Sequence, residues 1–194
     1  MAEKRKDLGI EGDLVKRLAQ CDTDLRSVNS GGTPEPLSAA QRAVALAWFE
    51  HLVGDVHQPL HVTARVTAFE QQGDAGGNGF CLGKTHPVGA HECSTNLHAL
   101  WDDILTTPYG SATVDGIAAA LQQRHGKPLF LGLGNYEGWA RESYKVATTK
   151  VYPVTLFRRA KPTPAYYSMV LRESEVRLAL AGYRLGEGLN ALLR

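Results

Sequence analysis

The sequence predicts an all-α domain that contains one long ordered loop. Several segments place apolar residues at helical spacing, and capping residues, glycines and prolines mark where these segments begin and end. The stretch 62–95, in contrast, has no helical period and is rich in glycine. There is no internal repeat and no linker-like composition, so a single domain spanning 1–194 is expected.

Composition and charge narrow the class of protein. Apolar residues make up 43% of the 194 residues and charged residues 21%, which is typical of a globular protein and argues against disorder. The formal net charge is +1, so any contact with nucleic acid must be local rather than an effect of the whole surface. No apolar run approaches the roughly 20 residues that span a bilayer, so no membrane association is expected.

Two helices are predicted in the first third of the chain. Between residues 13 and 28, apolar residues recur at helical spacing, which indicates a weakly amphipathic helix. A second helix begins at Ser38, because Gln41 stands three residues later and completes a capping box. This helix continues to about Val56. It is apolar on nearly all sides, so it should be central and buried.

The long loop, 62–95, contains features that suggest order. Alternating Val62, Ala64 and Val66 are typical of a short strand. Cys81 and Cys93 bracket a segment rich in Gly, Pro and His and could close it as a disulfide, or remain free thiols. A loop of this length inside a compact domain is usually functional or cross-linked.

Four further helices are predicted after the loop. They cover 96–105, with Ser94 or Thr95 as a cap, then about 113–125 and about 135–151. The last begins near Pro164, a proline suited to a first helical turn, and extends to about Leu192. Three glycines are expected to interrupt it: Gly182, Gly186 and Gly188.

Candidate metal ligands are concentrated at the end of the second helix. His51 and Asp55 are four residues apart, so on a helix they lie on one face. Pro59 ends the helix, which allows His61 to turn back toward that face. A carboxylate among imidazoles in an apolar stretch needs compensation, and zinc binds both groups. His57 points away from this face and is expected to be a packing or supporting residue.

A second pair repeats this spacing, because His98 and Asp102 also stand four residues apart on a predicted helix. A lone histidine on an apolar helix is more often a core residue than a ligand. Two pairs and a third histidine within apolar stretches favour metal binding. The economical arrangement is one site made of His61, His98 and Asp102, and a second, partial site made of His51 and Asp55.

These motifs resemble those of the S1/P1 nuclease family. The resemblance rests on HLVGDVHQPLH at 51–61, DAGGN at 74–78 and NLHALWD at 96–102, with weaker similarity at 139–143, 181–185 and 189–190. It covers about residue 38 to the end. It implies a mostly helical zinc-nuclease fold, like that of phospholipase C and P1 nuclease. It also implies a trinuclear zinc cluster that hydrolyses single-stranded DNA and RNA to 5′-phosphorylated products.

The resemblance also implies roles for individual residues. His51 and Asp55 would bind the first zinc, with Asp55 bridging to the third, and His61, His98 and Asp102 would bind the second. Zinc would supply an activated water and stabilise the phosphate in the transition state. Asn78 would either position a phosphate oxygen or order its loop. No obligate protein partner is evident.

Part of the family pattern has no counterpart in this sequence. The family's remaining zinc ligands, an N-terminal Trp and further His and Asp residues, precede the first matched helix, whereas no histidine stands before His51. We therefore expect this chain to lack the N-terminal part of the family domain. The family is secreted or periplasmic, but the first residues lack the apolar stretch of a signal peptide.

Three functions stay open at this point. The first is a zinc-dependent nuclease. The second is a zinc phospholipase C-like phosphodiesterase, which shares the spacing of His51, Asp55 and His61; the context of His98 and Asp102 favours the nuclease. The third is a non-catalytic, zinc-stabilised remnant of the enzyme.

Overall fold

The computed structural model describes residues 13–26, 37–68, 70–83 and 95–192, and these residues form a helical assembly. They contain no β-strand, which confirms the all-α class. The α-helices are α1 (Asp13–Arg26), α2 (Ala39–His57), α3 (Leu97–Asp103), α4 (Thr106–Tyr109), α5 (Val114–Arg124), α6 (Tyr136–Val146) and α7 (Pro164–Leu192). A 3-10 turn, Pro59–His61, follows α2, and a π-helical segment, Ala147–Val151, extends α6.

Helix α2 is the centre of the first hydrophobic core. The predicted capping box is present: Ser38 accepts from the backbone of Gln41, whose side chain accepts from the backbone of Ser38. Helix α2 contacts α1, α6 and α7, and Phe49 is fully buried among them. The expectation that α2 is buried on nearly all sides is wrong, because Trp48 is 54% exposed.

A second core forms around α3 and the start of α7. Trp101 of α3 donates from its indole nitrogen to the hydroxyl of Tyr166 in α7 at 3.3 Å. Tyr166 in turn donates to the backbone carbonyl of Val151 at 2.7 Å. Leu60, in the turn after α2, belongs to this core, whereas Val62 belongs to the first one. The residue between them, His61, therefore lies where the two cores meet.

Helix α7 is continuous, so the predicted interruption at Gly182, Gly186 and Gly188 is wrong. Glycine costs a helix about 1 kcal/mol relative to alanine, and tertiary packing can offset that cost. A Cβ built on Gly188 would lie 3.5 Å from the ring of Phe49, an ordinary van der Waals distance, and one built on Gly182 or Gly186 would meet open space. These three positions therefore have space for a Cβ in the continuous helix.

The segment after His61 forms no strand, so the prediction from the alternation at 62–66 is also wrong. Its hydrogen bonds go instead to the glycine-rich turn. The backbone N–H of Arg65 donates to the Asp74 carboxylate at 2.8 Å, and the backbone N–H of Asp74 donates to the Arg65 carbonyl at 3.1 Å. The backbone of Arg65 is therefore paired with the side chain and the backbone N–H of Asp74 rather than with a neighbouring strand.

Two further expectations concern cysteines and membranes. Cys21 is a buried free thiol in α1. The predicted Cys81–Cys93 disulfide stays a prediction, because Cys93 lies outside the described residues. Within the described ranges, no helix combines the length and the apolar character needed to cross a membrane.

Candidate metal centre

The end of α2 places the first candidate ligands. Helix α2 ends at His57, and the side chain of Gln58 accepts from the backbone N–H of Leu60, which starts the 3-10 turn with Pro59 in its first position. This turn directs His61 back toward Asp55. The imidazole Nδ1 of His61 lies 3.2 Å from Asp55 Oδ1, as the proline in the sequence predicts.

Three of the predicted ligands converge at one point. His61, His98 and Asp102 each offer one ligand atom, and these atoms lie within 4.8 Å of one another. The distance from His98 Nε2 to Asp102 Oδ2 is 3.2 Å, and that from His61 Nε2 to Asp102 Oδ1 is 3.5 Å. Two imidazoles and one carboxylate are a typical protein ligand set for a catalytic zinc, which keeps a further position open.

The nitrogen of His61 that faces Asp102 provides an independent test of this site. His61 Nε2 is buried and has no hydrogen-bond partner among the described residues. A buried polar atom without a partner costs about 1–3 kcal/mol, so such atoms are rare unless something else binds them. A cation held by His61 Nε2, His98 and Asp102 would satisfy this atom, so the residues present fit a metal ion.

The pKa values of His61 and Asp55 are shifted in opposite directions by their contact. The hydrogen bond with Asp55 raises the pKa of His61 above its ordinary value, although burial opposes this effect. Burial by itself would raise the pKa of Asp55, but the hydrogen bond from His61 and the nearby imidazoles lower it. Asp55 is therefore a carboxylate that orients His61 and increases the basicity of its ring, as carboxylates behind zinc-binding histidines do.

The second predicted pair is formed but is not enclosed. His51 Nε2 lies 3.1 Å from Asp55 Oδ2, and the side chain of His51 is 61% exposed. Within the described residues, no group of three potential ligands includes His51 or Asp55. This face of α2 holds two potential metal ligands and is open to solvent.

Two neighbours that were not predicted hold the ligands in place. Gln58 donates from its amide to Asp102 Oδ1 at 2.8 Å, which leaves Oδ2 facing His98. The Nδ1–H of His98 donates to the backbone carbonyl of Gly76 at 2.8 Å. Gln58 stands inside the 51–61 motif, so its position was a usable signal, whereas a backbone carbonyl acceptor leaves no residue-type signal in the sequence.

Comparison with known proteins identifies the family of the chain. The sequence profile described as S1/P1 Nuclease matches residues 11–194. The chain belongs to the S1/P1 nuclease family. Endonuclease 4 of Arabidopsis thaliana is 39% identical over 61 residues, which are 31% of this chain and 16% of that relative. The match therefore spans well under two thirds of the relative's length.

Membership of the S1/P1 nuclease family suggests a metal-dependent nuclease. The remaining residues singled out in the sequence lie as follows. Asn78 is exposed, and its amide donates to the Ala75 carbonyl at 3.0 Å, which favours its role in ordering the loop. His57 is buried, and its Nδ1 lies 2.7 Å from the Val53 carbonyl, as expected of a packing residue. His125, at the end of α5, is half-buried, and its Nε2 lies 3.3 Å from Glu175 Oε2.

Proposed function

We propose that this chain is a zinc-dependent endonuclease that hydrolyses phosphodiester bonds of single-stranded DNA and RNA and leaves 5′-phosphorylated products. The observation that carries the proposal is the convergence of His61, His98 and Asp102 on one point, with His61 Nε2 buried and unpartnered among the described residues. Family membership supplies the class of reaction. The strand preference and the product ends are parts of the proposal.

The chain's own residues have distinct tasks in this reaction. His61, His98 and Asp102 would hold one zinc, and Asp55 would orient His61 from behind while offering its other oxygen, with His51, to a further zinc. Zinc, when bound, lowers the pKa of water and neutralises charge on a phosphate. Because the side chains of His51 and Asp102 are 61% and 40% exposed, a phosphate group can approach this edge from solvent.

The proposal also includes a cellular location and a disulfide bond. A secreted or periplasmic location follows from the resemblance to secreted nucleases, and it would allow the Cys81–Cys93 disulfide to form. That disulfide would cross-link the loop that follows the glycine-rich turn beside His98. We propose no obligate protein partner, and the nucleic acid substrate would bind by local contacts, because the formal net charge is only +1.

A non-catalytic zinc-binding domain is the competing function, and one observation favours it. Only one of the two predicted ligand groups forms a three-residue cluster among the described residues. If the second zinc needs ligands beyond His51 and Asp55, this chain would bind one zinc and hydrolyse nothing. A phospholipase C-like phosphodiesterase shares the ligand spacing and is separated from the nuclease by its substrate.

The test combines zinc content with hydrolysis of two substrates. The protein is purified in zinc-containing buffer, its zinc is counted per chain by elemental analysis, and single-stranded DNA and phosphatidylcholine are each supplied as substrate. We expect cleavage of DNA, 5′-phosphate ends and loss of activity with EDTA. One zinc per chain without DNA cleavage would favour the non-catalytic domain, and cleavage of phosphatidylcholine alone would favour the phospholipase.

A further inference from the structure

The glycine-rich turn at 74–79, named here the Asp74 turn, is wedged between the two elements that carry the proposed ligands. A Cβ built on Gly76 would lie 2.5 Å from the carbonyl oxygen of Leu60, the residue before His61. A Cβ built on Gly77 would lie 3.2 Å from the backbone nitrogen of His98. Both glycines have positive φ angles, +63° and +85°, so the turn fits this space only with glycine at these positions.

The Asp74 turn sets the orientation of one proposed ligand. The carbonyl of Gly76 accepts from Nδ1–H of His98 at 2.8 Å. When Nδ1 carries the proton, the lone pair of a neutral imidazole is on Nε2, and Nε2 is the atom that faces Asp102. The position of one backbone carbonyl therefore sets the direction of the His98 ring.

A buried carboxylate holds this carbonyl in place. Asp74 is 1% exposed, and its Oδ1 accepts from the backbone N–H groups of Arg65 at 2.8 Å and Gly77 at 3.1 Å. Its Oδ2 accepts from the hydroxyl of Tyr152 at 2.7 Å. The backbone of Asp74 closes the turn, because its carbonyl accepts from Gly79 N–H at 2.8 Å. Asp74 thus ties both ends of the turn to the segment after His61 and to Tyr152.

We propose that Asp74 and Tyr152 are positioning residues for zinc binding: they hold the Gly76 carbonyl where it orients His98. The proposal rests on the proposed zinc site, and neither residue touches the zinc or the substrate. Partners of metal-binding histidines change metal affinity by about 10–100-fold when they are removed. The direct partner of His98 is the backbone carbonyl of Gly76, which no substitution can remove. The test therefore substitutes Asp74 and Tyr152, the residues that hold this carbonyl in place.

The experiment compares four variants of the full chain by two measurements. Zinc affinity is measured by competition with a chromophoric chelator, and the orientation of the His98 ring in zinc-free protein is read from NMR contacts between its ring protons and the Asp74 turn. Asp74→Ala removes all three side-chain hydrogen bonds, and we expect its zinc affinity to fall by about 10–100-fold, with a mixture of His98 ring orientations. Asp74→Asn keeps an oxygen for both backbone N–H groups, so its zinc affinity and its His98 ring orientation should stay close to those of the parent.

Tyr152→Phe has a matched control elsewhere in the molecule. Tyr109 also donates its hydroxyl to a buried carboxylate, Glu175, at 2.8 Å, and it is not a neighbour of the proposed ligands. Tyr152→Phe should weaken zinc binding by about tenfold, whereas Tyr109→Phe should leave it unchanged. Equal affinities in these two variants would overturn the proposal, even if Asp74→Ala does not fold.

The two measurements separate this inference from the proposed function. If the parent protein fails to bind zinc, the proposed zinc site is wrong, but the orientation of the His98 ring in zinc-free Asp74→Ala and Tyr152→Phe still tests the positioning role. If the parent binds zinc and Asp74→Ala is folded with an unchanged ring orientation and zinc affinity, the positioning role is wrong and the zinc site stands.

Discussion

The imidazole rings of His61 and His98 are stacked, with their centroids 4.9 Å apart and their planes 12° apart. One ring comes from the turn after α2 and the other from α3, and both present Nε2 to Asp102. A metal ion bound by both Nε2 atoms and the Asp102 carboxylate would have two imidazoles and one carboxylate as ligands.

Asp102→Asn is expected to release that cation. The amide keeps the size of the side chain and an oxygen for Gln58, but it loses the negative charge that a zinc ligand supplies. Zinc affinity should fall at least about tenfold, and the stabilisation by excess zinc should fall by about 1.4 kcal/mol for each factor of ten. Zinc content after dialysis and the melting temperature with and without zinc measure this effect.

Asp103→Asn is the matched control for Asp102→Asn. Asp103 is the next residue in α3, it is exposed, and it is not part of the ligand cluster. Its substitution should leave zinc content and the zinc-dependent melting shift at the parent values. Equal zinc content in the Asp102 variant and the Asp103 variant would contradict the assignment of Asp102 as a ligand.

Local sequence signals predicted the helices because their causes are local. Ser38 and Gln41 stand three residues apart, and the capping box they form needs no distant contact. The predicted strand at 62–66 failed because alternation reports only which side chains face inward. In this segment the ordering partner is Asp74, whose carboxylate replaces a neighbouring strand. The continuous α7 was missed because glycine is only a weak helix breaker, and α7 buries residues along its whole length, including Val170, Ala181 and Leu192.

The candidate site was predictable for a different reason. Metal binding depends on the residue types of the ligands, and these can be read directly from the sequence. Histidine and aspartate at helical spacing marked His98 and Asp102, and Pro59 marked the turn that brings His61 to them. The supporting contacts were not predictable. The carbonyl of Gly76 has no side-chain signature, and its distance from His98 depends on how the Asp74 turn packs between α3 and the turn after α2.

A buried ionic network lies beside this site and was also missed, because its partners are far apart in sequence. Arg184 is 3% exposed and donates to both carboxylate oxygens of Glu142 at 2.7 and 2.8 Å. It also donates to the Leu131 carbonyl at 2.8 Å. Its guanidinium lies 4.8 Å from the centre of the Trp139 ring. One side chain thus joins α7 to α6 and to the loop before α6.

Arg184→Met should destabilise the fold strongly. The substitution removes four hydrogen bonds, to Glu142, the Leu131 carbonyl and His57, and leaves Glu142 without its main cation, so we expect a loss of about 3 kcal/mol in the free energy of unfolding. Arg141→Met is the control: Arg141 pairs with Glu137 on the exposed face of α6, and its loss should cost less than about 1 kcal/mol. Urea denaturation at pH 7 measures both, and similar losses would contradict the central role of Arg184.

The Cys81–Cys93 disulfide can be tested by counting reactive thiols. The chain has three cysteines, and Cys21 is a free thiol. In denaturant without reductant, alkylation should add one group per chain, and reduction first should add three. Cys21→Ser should add none before reduction, which identifies the free thiol. Three groups added to the parent protein without reductant would show that Cys81 and Cys93 are not paired.

Acid should weaken the fold through His57. Burial, together with the positive charges of Arg177 and Arg184, lowers the pKa of His57 to about 3. Its Nδ1–H donates to the Val53 carbonyl at 2.7 Å, and its Nε2 lies 2.8 Å from Nη1 of Arg184. Nε2 therefore accepts from Arg184, and a proton on this nitrogen would face a cation. Both contacts require the neutral ring.

The direction of the effect follows from proton uptake. In the unfolded chain, His57 takes up a proton as pH falls below its ordinary pKa of about 6.5. In the folded chain it stays neutral until pH approaches 3. Its contribution to the free energy of unfolding is therefore complete above pH 6.5 and is lost as pH falls. Each pH unit in this window costs up to about 1.4 kcal/mol, or about 2 kcal/mol between pH 7 and pH 5.

His57→Gln isolates this contribution because glutamine does not titrate. The variant should be less stable than the parent at pH 7, and the difference in unfolding free energy should shrink by about 2 kcal/mol at pH 5. Urea denaturation of both proteins in EDTA removes any zinc effect, and the other titrating groups, His61 among them, are shared and cancel in the difference. A difference that is the same at both pH values would show that His57 takes up its proton equally in the folded and unfolded chains.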